Sequence, residues 1–557
     1  MKNLLTFLLC TLMTGISTAQ FEQLFQLTSD DNNVTYPNYV YAISGDGQGN
    51  TYSAGSFEDS ITFGPFTLTS DSGYGNGTGF LARFNAVSDS WIWANKITLV
   101  SYYATSHIYD IASDASGNTY VVGSYGHTIK FDNISLSSTQ ATTDLFVAKM
   151  NANGTWAWAK SFGTKTGADF GKTITLDANN NIYVGGEFTN KIFQCATVYD
   201  IYLAKLNSSG SVQWQKRIPP KPATCSTAAV TKDITTDAAG NVYITGNFSG
   251  TYVFGNGASL IITDNGSTDI YVAKFNSSGT TQWVRSSGSP EWDKVETIAS
   301  DAGGNIYIAG QLGHMTPNGF VSKYNSAGTP IWTVNPFPNS AEFPGPWVRR
   351  IIPYGNSLLA ADIKIGLKTL SLTDGSVLSS DSLTGNPAIN PNGSQHYPFR
   401  ISDLETDGTG FVVKINASCG TSDLGNITII ASCPDCNGEY CGGEDVVVVR
   451  GGEPPIFYMR PDVDIKPDVS HVTPLSELNL YPNPATNQVN IQLPEIKSAI
   501  RLMMRNHLGK IVWSEKVDEG KSLTIIHLSV EDFPQGVYFY SLIQDESIMT
   551  KSFLISD

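Results

Sequence analysis

The sequence predicts an all-β chain: a β-propeller followed by a small Ig-like β-sandwich. A ten-residue motif occurs five times, a second strand-turn-strand motif follows each copy, and the composition favours turns, with 52 Gly and 26 Pro in 557 residues. Charged residues make up 15% and hydrophobic residues 41%, so the chain can hold several cores and is neither a coiled coil nor a disordered acidic tail. The net charge of -16 argues against nucleic acid, since binding phosphates needs clustered Lys and Arg.

The first element is a leader. Lys2 precedes an apolar run from Leu4 to Met13, and Ser17-Thr18-Ala19 supplies small residues at the spacing a signal peptidase reads. Cleavage is expected before Gln20, leaving an exported protein. The run is shorter than the ~20 residues a spanning helix needs, and no later segment reaches that length, so no transmembrane anchor is expected. A lipoprotein signal at Cys10 is disfavoured because Leu9 stands where a small residue belongs.

The repeat begins with Asp46-x-x-Gly49-Asn50-x-Tyr52-x-x-Gly55 and returns at Asp114, Asp177, Asp237 and Asp301, at separations of 68, 63, 60 and 64 residues. Downstream, Lys149-x-Asn151-x-x-Gly154 with Trp158 matches Lys205, Asn207, Gly210 and Trp214. The set recurs as Lys274, Asn276, Gly279 and Trp283, and as Lys323, Asn325, Gly328 and Trp332. The first copy carries Arg83, Asn85 and Trp93, with a turn one residue longer. An Asp opening a turn accepts the following backbone amides, and Gly, or Asn180 in the third copy, tolerates positive φ. The flanking residues are β-branched or aromatic. Two hairpins per repeat make a four-stranded antiparallel sheet, and such sheets pack radially as propeller blades.

Added alternating segments at residues 61–68, 129–136 and 252–262 predict small hairpins between strands two and three of blades one, two and four. They explain a period longer than the ~40 to 50 residues of compact blades. The segment Phe21–Leu27 is expected to be the outer strand of the last blade, closing the ring. Residues 347–385 form a degenerate blade, and residues 396 to about 450 supply another, for seven blades with six as the alternative.

Over residues 38–335 these repeats resemble the bacterial SBBP propeller repeats, cousins of the NHL repeats. That resemblance implies a propeller and no single activity. Beyond a proline-bearing linker at residues 451–475, Tyr481-Pro482-Asn483-Pro484, the Leu508-Gly509 turn, Gly536-Val537-Tyr538 and Lys551 closely resemble the type A C-terminal sorting domain of type IX secretion substrates in Bacteroidetes. The resemblance covers residues 476–557. It implies the type IX secretion machinery as a partner, passage across the outer membrane, removal of this domain, and either release or attachment to surface lipopolysaccharide. The alternative is an accessory sandwich that stays in the mature protein.

Cys195, Cys225, Cys419, Cys433, Cys436 and Cys441 remain after leader cleavage, an even count that favours disulfides in an exported chain. Cys195 and Cys225 fall in loops expected on one face of the propeller, so a bridge between them is geometrically reasonable. A four-thiolate zinc site from Cys419, Cys433, Cys436 and Cys441 is the rival reading of the second group, and a disulfide-stapled loop is preferred.

No His-x-x-x-His pair, nucleophile elbow or phosphate-binding loop is present, so no catalytic residue, metal or cofactor is expected. The repeated Asp residues offer one carboxylate per turn and read as turn caps rather than calcium ligands. The repeated Lys residues read as structural, stacked on Tyr or Trp. Asp110 and Asp233 differ, standing on inner strands where the other copies have Ala42, Thr173 and Thr297. They are the weak binding candidates, as a cation site or an acid-base pair; hydrogen bonding inside the sheet stack is the plainer reading. The expected function is binding of a surface glycan or protein partner through the hairpin-bearing face. The alternative is an extracellular polysaccharide lyase or hydrolase with a channel site.

Overall fold

The computed structural model describes residues 20–27, most of 38–452 and the strands of 479–555; side chains are described for most of 38–380 and at a few positions beyond. The chain divides into two compact units, at residues 1–453 and 454–557.

The first unit contains seven blades. Their inner strands are Tyr39–Gly45, Thr105–Ser113, Phe170–Leu176, Ala228–Thr236, Lys294–Ser300, Val348–Tyr354 and Phe399–Thr406. Each inner strand contacts the next, and the last contacts the first, so the ring closes at seven rather than six. In the seventh blade the outer strand is Gln20–Leu27, paired antiparallel with Asp445–Gly452. The first and last described strands of this unit thus meet in one sheet.

Hydrophobic cores lie between successive blades. Tyr52, Leu81 and Trp93 of the first pack with Ile108, Val121 and Phe146 of the second, all buried. Every blade therefore needs both neighbours, the reason a single repeat does not fold alone.

The two repeated motifs join blades by hydrogen bonds. Asp46 Oδ1 accepts from the backbone N–H of Gln48, and Tyr52 donates both to Asp46 Oδ2 and to the Gly117 carbonyl of the next blade. Lys205 lies over the Tyr183 ring at 4.9 Å and Lys274 over Tyr243 at 4.9 Å. Trp214 Nε1 donates to the Ser277 carbonyl at 3.0 Å, in the outer turn of the following blade, and Lys205 Nζ reaches the same oxygen at 3.4 Å. That turn carries Gly279 at φ +81°, where an added Cβ would meet the Trp214 ring at 2.8 Å. The recurrent Lys, Gly and Trp are thus parts of one inter-blade clasp.

Added hairpins occur at Ser60–Phe63 with Phe66–Thr69, at Thr128–Phe131 with Ile134–Ser137, and at Thr251–Val253 with Ser259–Ile261. A further hairpin, Gly420–Leu424 with Ile427–Ala431, extends the sixth blade into a six-stranded sheet. This hairpin was not expected from the sequence, because the blade that supplies it lacks the repeat motif.

The second unit holds two antiparallel sheets. One has three strands, Asn479–Tyr481, Gln488–Gln492 and Ile525–Ser529; the other has four, in the order Ile511–Val517, Ile500–Asn506, Gly536–Gln544, Ser547–Ile555.

Candidate functional site: the central channel

Every inner strand carries a β-bulge at the same height. Pairing skips one residue before Ala42, Asp110, Thr173, Asp233, Thr297, Arg350 and Asp403. A bulge sets two neighbouring side chains toward one side of a strand and re-aims them. These seven positions form one layer across the channel.

Asp110 Oδ1 accepts from the Ile111 N–H at 2.9 Å and Oδ2 from the Ile174 N–H of the next blade at 2.8 Å. Asp233 repeats the arrangement with Ile234 and Ile298, at 2.8 and 2.9 Å, and also accepts from the Thr173 hydroxyl. Asp403 repeats it again with Leu404 and Ile43, at 3.0 and 2.9 Å. Each carboxylate ties its inner strand to the next blade. Arg350 spans the layer, with Nη1 3.1 Å from Asp233 and Nε 2.7 Å from Asp403, while Nη2 stands 3.8 Å from Glu405.

Burial dominates the electrostatics. It pushes Asp110 up to about 7, against the downward pull of Arg350, and pushes Glu405 up to about 8. The surrounding carboxylates outweigh the same burial at Arg350 and hold its guanidinium more firmly charged than usual. The layer separates two cavities. One, of about 360 Å³, is lined by Ser44, Ala112, Thr235, Ser300 and Glu405 and lies on the side of the Asp46–Asn50 type turns. The other, of about 140 Å³, lies toward the face bearing the added hairpins and is lined by Tyr41, Tyr109, Lys172, Lys232, Glu296 and Arg349. These six are the residues skipped by the bulges of the first six blades.

Tyr41 packs on Tyr109 at 5.5 Å and stacks on Tyr39 at 5.7 Å, while His107 stacks on Tyr109 at 5.9 Å and accepts or donates to the Ser56 hydroxyl. Burial holds the His107 imidazole below its ordinary pKa. Glu296 bridges Lys232 at 3.5 Å and Arg349 at 3.3 Å.

Asp110 and Asp233 are therefore brought into one layer, with every carboxylate oxygen engaged. Sequence reasoning missed Arg350, Asp403 and Glu405, since the sixth and seventh blades lack the motifs that would have aligned them. The six candidate cysteines, the leader expected at residues 1–19, and Pro482, Asn483, Pro484 and Gly509 lie outside the described residues. Tyr481 ends the strand Asn479–Tyr481, Gly536 and Tyr538 open the strand Gly536–Gln544, and Lys551 pairs with Tyr540. No cluster of His, Cys, Asp and Glu suited to a metal ion occurs among the described residues. No helix among them is long and apolar enough to cross a membrane.

Residues 479–556 match the model of the secretion system C-terminal sorting domain, and residues 178–212 match a β-propeller domain of unknown function (DUF5122). An uncharacterized WD repeat-containing protein of Acanthamoeba polyphaga mimivirus is 27% identical over 219 residues, which is 35% of this chain and 15% of that protein. Among solved structures, BamB from Moraxella catarrhalis aligns with a TM-score of 0.36 at 12% identity, covering 77% of this chain and 100% of that one. PorZ, an essential surface component of the type IX secretion system of Porphyromonas gingivalis, aligns with a TM-score of 0.31 at 13% identity, covering 93% of this chain and 70% of that one. The chain carries a β-propeller and a type IX secretion C-terminal sorting domain, which implies interaction with that machinery and export to the cell surface or outside the cell.

Proposed function

We propose that this protein is an exported binding module whose hairpin-bearing face engages a partner or polysaccharide, with residues 479–556 serving only its delivery. One observation carries the reading. Among the described residues, the large exposed aromatics are Tyr39, Tyr102, Tyr103 and Trp292, and all lie at inner-strand entries or inter-blade connections, which open on that face. Exposed aromatic clusters mark recognition surfaces, since a rigid ring buries area at little entropic cost.

The test has two parts. Mass spectrometry of surface and supernatant fractions is expected to find a mature chain beginning at Gln20 without the sorting domain, and no external protein after deletion of residues 476–557. Retention of the domain with unchanged export overturns the delivery role. Binding to the polysaccharide that scores highest in a glycan screen of the wild type is expected to fall in the triple variant Tyr102→Ala, Tyr103→Ala, Trp292→Ala; unchanged binding overturns the surface.

A second reading, an extracellular lyase or hydrolase, is favoured by Glu405, a carboxyl lining the larger cavity that burial raises to about 8. It predicts new chain ends in polysaccharide incubated with the wild type and none with Glu405→Gln.

A further inference from the structure

The hairpin-side cavity gathers four cations and four carboxylates, Lys172, Lys232, Arg349 and Arg350 with Asp110, Asp233, Glu296 and Asp403, and its cations concentrate at the mouth. Lys172, Lys232 and Arg349 line it, and Lys294 stands at the rim two residues before Glu296. Glu296 is the carboxylate that lines it at the level of these cations, with Asp110, Asp233 and Asp403 below in the bulge layer. Glu58 and Glu187 act on Tyr41 and Lys172 without lining it, and burial raises Glu187 above the usual carboxylate range. Lys172 rests over the Phe170 ring at 4.7 Å and Lys294 over the Trp347 ring at 4.9 Å. Neither forms an ion pair among the described residues.

The floor below is electrically occupied: Asp233 and Asp403 accept backbone N–H groups and share Arg350. Lys232 and Arg349 share Glu296, so charge added to the cavity is received first by Lys172, which forms no ion pair among the described residues. The rim is aromatic: Tyr39 and Phe170 open their strands two residues before the lining residues Tyr41 and Lys172, and Trp347 stands just before its strand, two residues before Arg349. The buried indole N–H of Trp347 has no hydrogen-bond partner.

The cavity's 140 Å³ is below the ~300 Å³ at which pockets begin to enclose a whole drug-sized ligand. It has room for one carboxylate or sulfate group, with the body of the ligand outside on the aromatic rim. A rim of rings, of which Tyr39 is exposed, beside cations at the depth of one acidic substituent defines the ligand class.

Resting on the binding role argued above, we propose that the channel mouth formed by Lys172, Lys232, Arg349 and the Tyr39, Phe170 and Trp347 rim binds an acidic polysaccharide by one carboxylate or sulfate group. Titration calorimetry on the full exported chain with polygalacturonate, dextran sulfate, neutral dextran and poly-L-glutamate tests it. Either acidic polysaccharide is expected to bind more tightly than dextran and poly-L-glutamate, and the better of the two identifies the anion. High salt weakens that binding by screening. Lys172→Gln and Lys294→Gln, which break no ion pair among the described residues, are each expected to weaken it about tenfold, as loss of a charged contact does. Thermal melts of both variants establish that they fold.

Equal affinity for dextran, equal affinity for poly-L-glutamate, or unchanged affinity in both folded variants overturns the proposal. The broader binding role is judged separately: it survives if dextran or the polysaccharide chosen in the glycan screen still binds and the Tyr102, Tyr103 and Trp292 variant abolishes that binding.

Discussion

Arg350 is the residue on which the channel layer depends. Its guanidinium is shared by Asp233 and Asp403, so replacing it leaves two buried carboxylates without a counter-charge. Arg350→Met is expected to cost about 3–5 kcal/mol, measured by denaturant unfolding of the exported chain. The carboxyls also make stability depend on pH. Asp110 and Glu405 have folded pKa values raised to about 7 and about 8, so between pH 4 and 8 the native state binds more protons than the unfolded state. Their contribution is present at acid pH and is lost as pH rises through 7 and 8. Thermal midpoints are expected to fall across that window, and Glu405→Gln to flatten the fall.

At the scale of the element, the repeated turn and Trp form one device. Trp214→Phe removes the N–H donated to Ser277 and is expected to cost about 1 kcal/mol. Gly279→Ala strains a residue at φ +81° and drives its Cβ against the Trp214 ring, so it is expected to cost more, about 2 kcal/mol. Chemical denaturation of the two variants checks the order. The elements most legible in the sequence were those whose hydrogen bonds are local. An Asp opening a turn, a Gly closing it and alternating flanks specify a hairpin within ten residues, and Asn180 at φ +56° shows the same turn made with the next most tolerant residue. The hairpin Gly420–Leu424 with Ile427–Ala431 was not legible, because its attachment to the sixth blade is made through Leu383 and Thr384, far away in the chain.

For the whole molecule, closure is the weak point of any propeller. The seventh blade borrows its outer strand, Gln20–Leu27, from the start of the chain. Deleting residues 20–27 exposes the edge Asp445–Gly452, and the expected outcome is a lower melting temperature with aggregation, read by calorimetry and light scattering.

By itself the sequence determined the five motif-bearing blades, their order and the sorting domain, because each rests on short-range turn chemistry, alternation or a contiguous motif; it left the ring open between six and seven blades, which closure decided. It also singled out Asp110 and Asp233, which depart from the Ala and Thr of the other copies. Only the tertiary structure shows what they bond to. Seven inner strands bulge at one height, and ring closure brings Asp403 within reach of Ile43 and sets Arg350 between Asp233 and Asp403. The same closure gathers Lys172, Lys232, Glu296 and Arg349 into one mouth. These residues lie on different blades, tens to hundreds of positions apart, and their meeting follows from the geometry of the ring rather than from any local pattern.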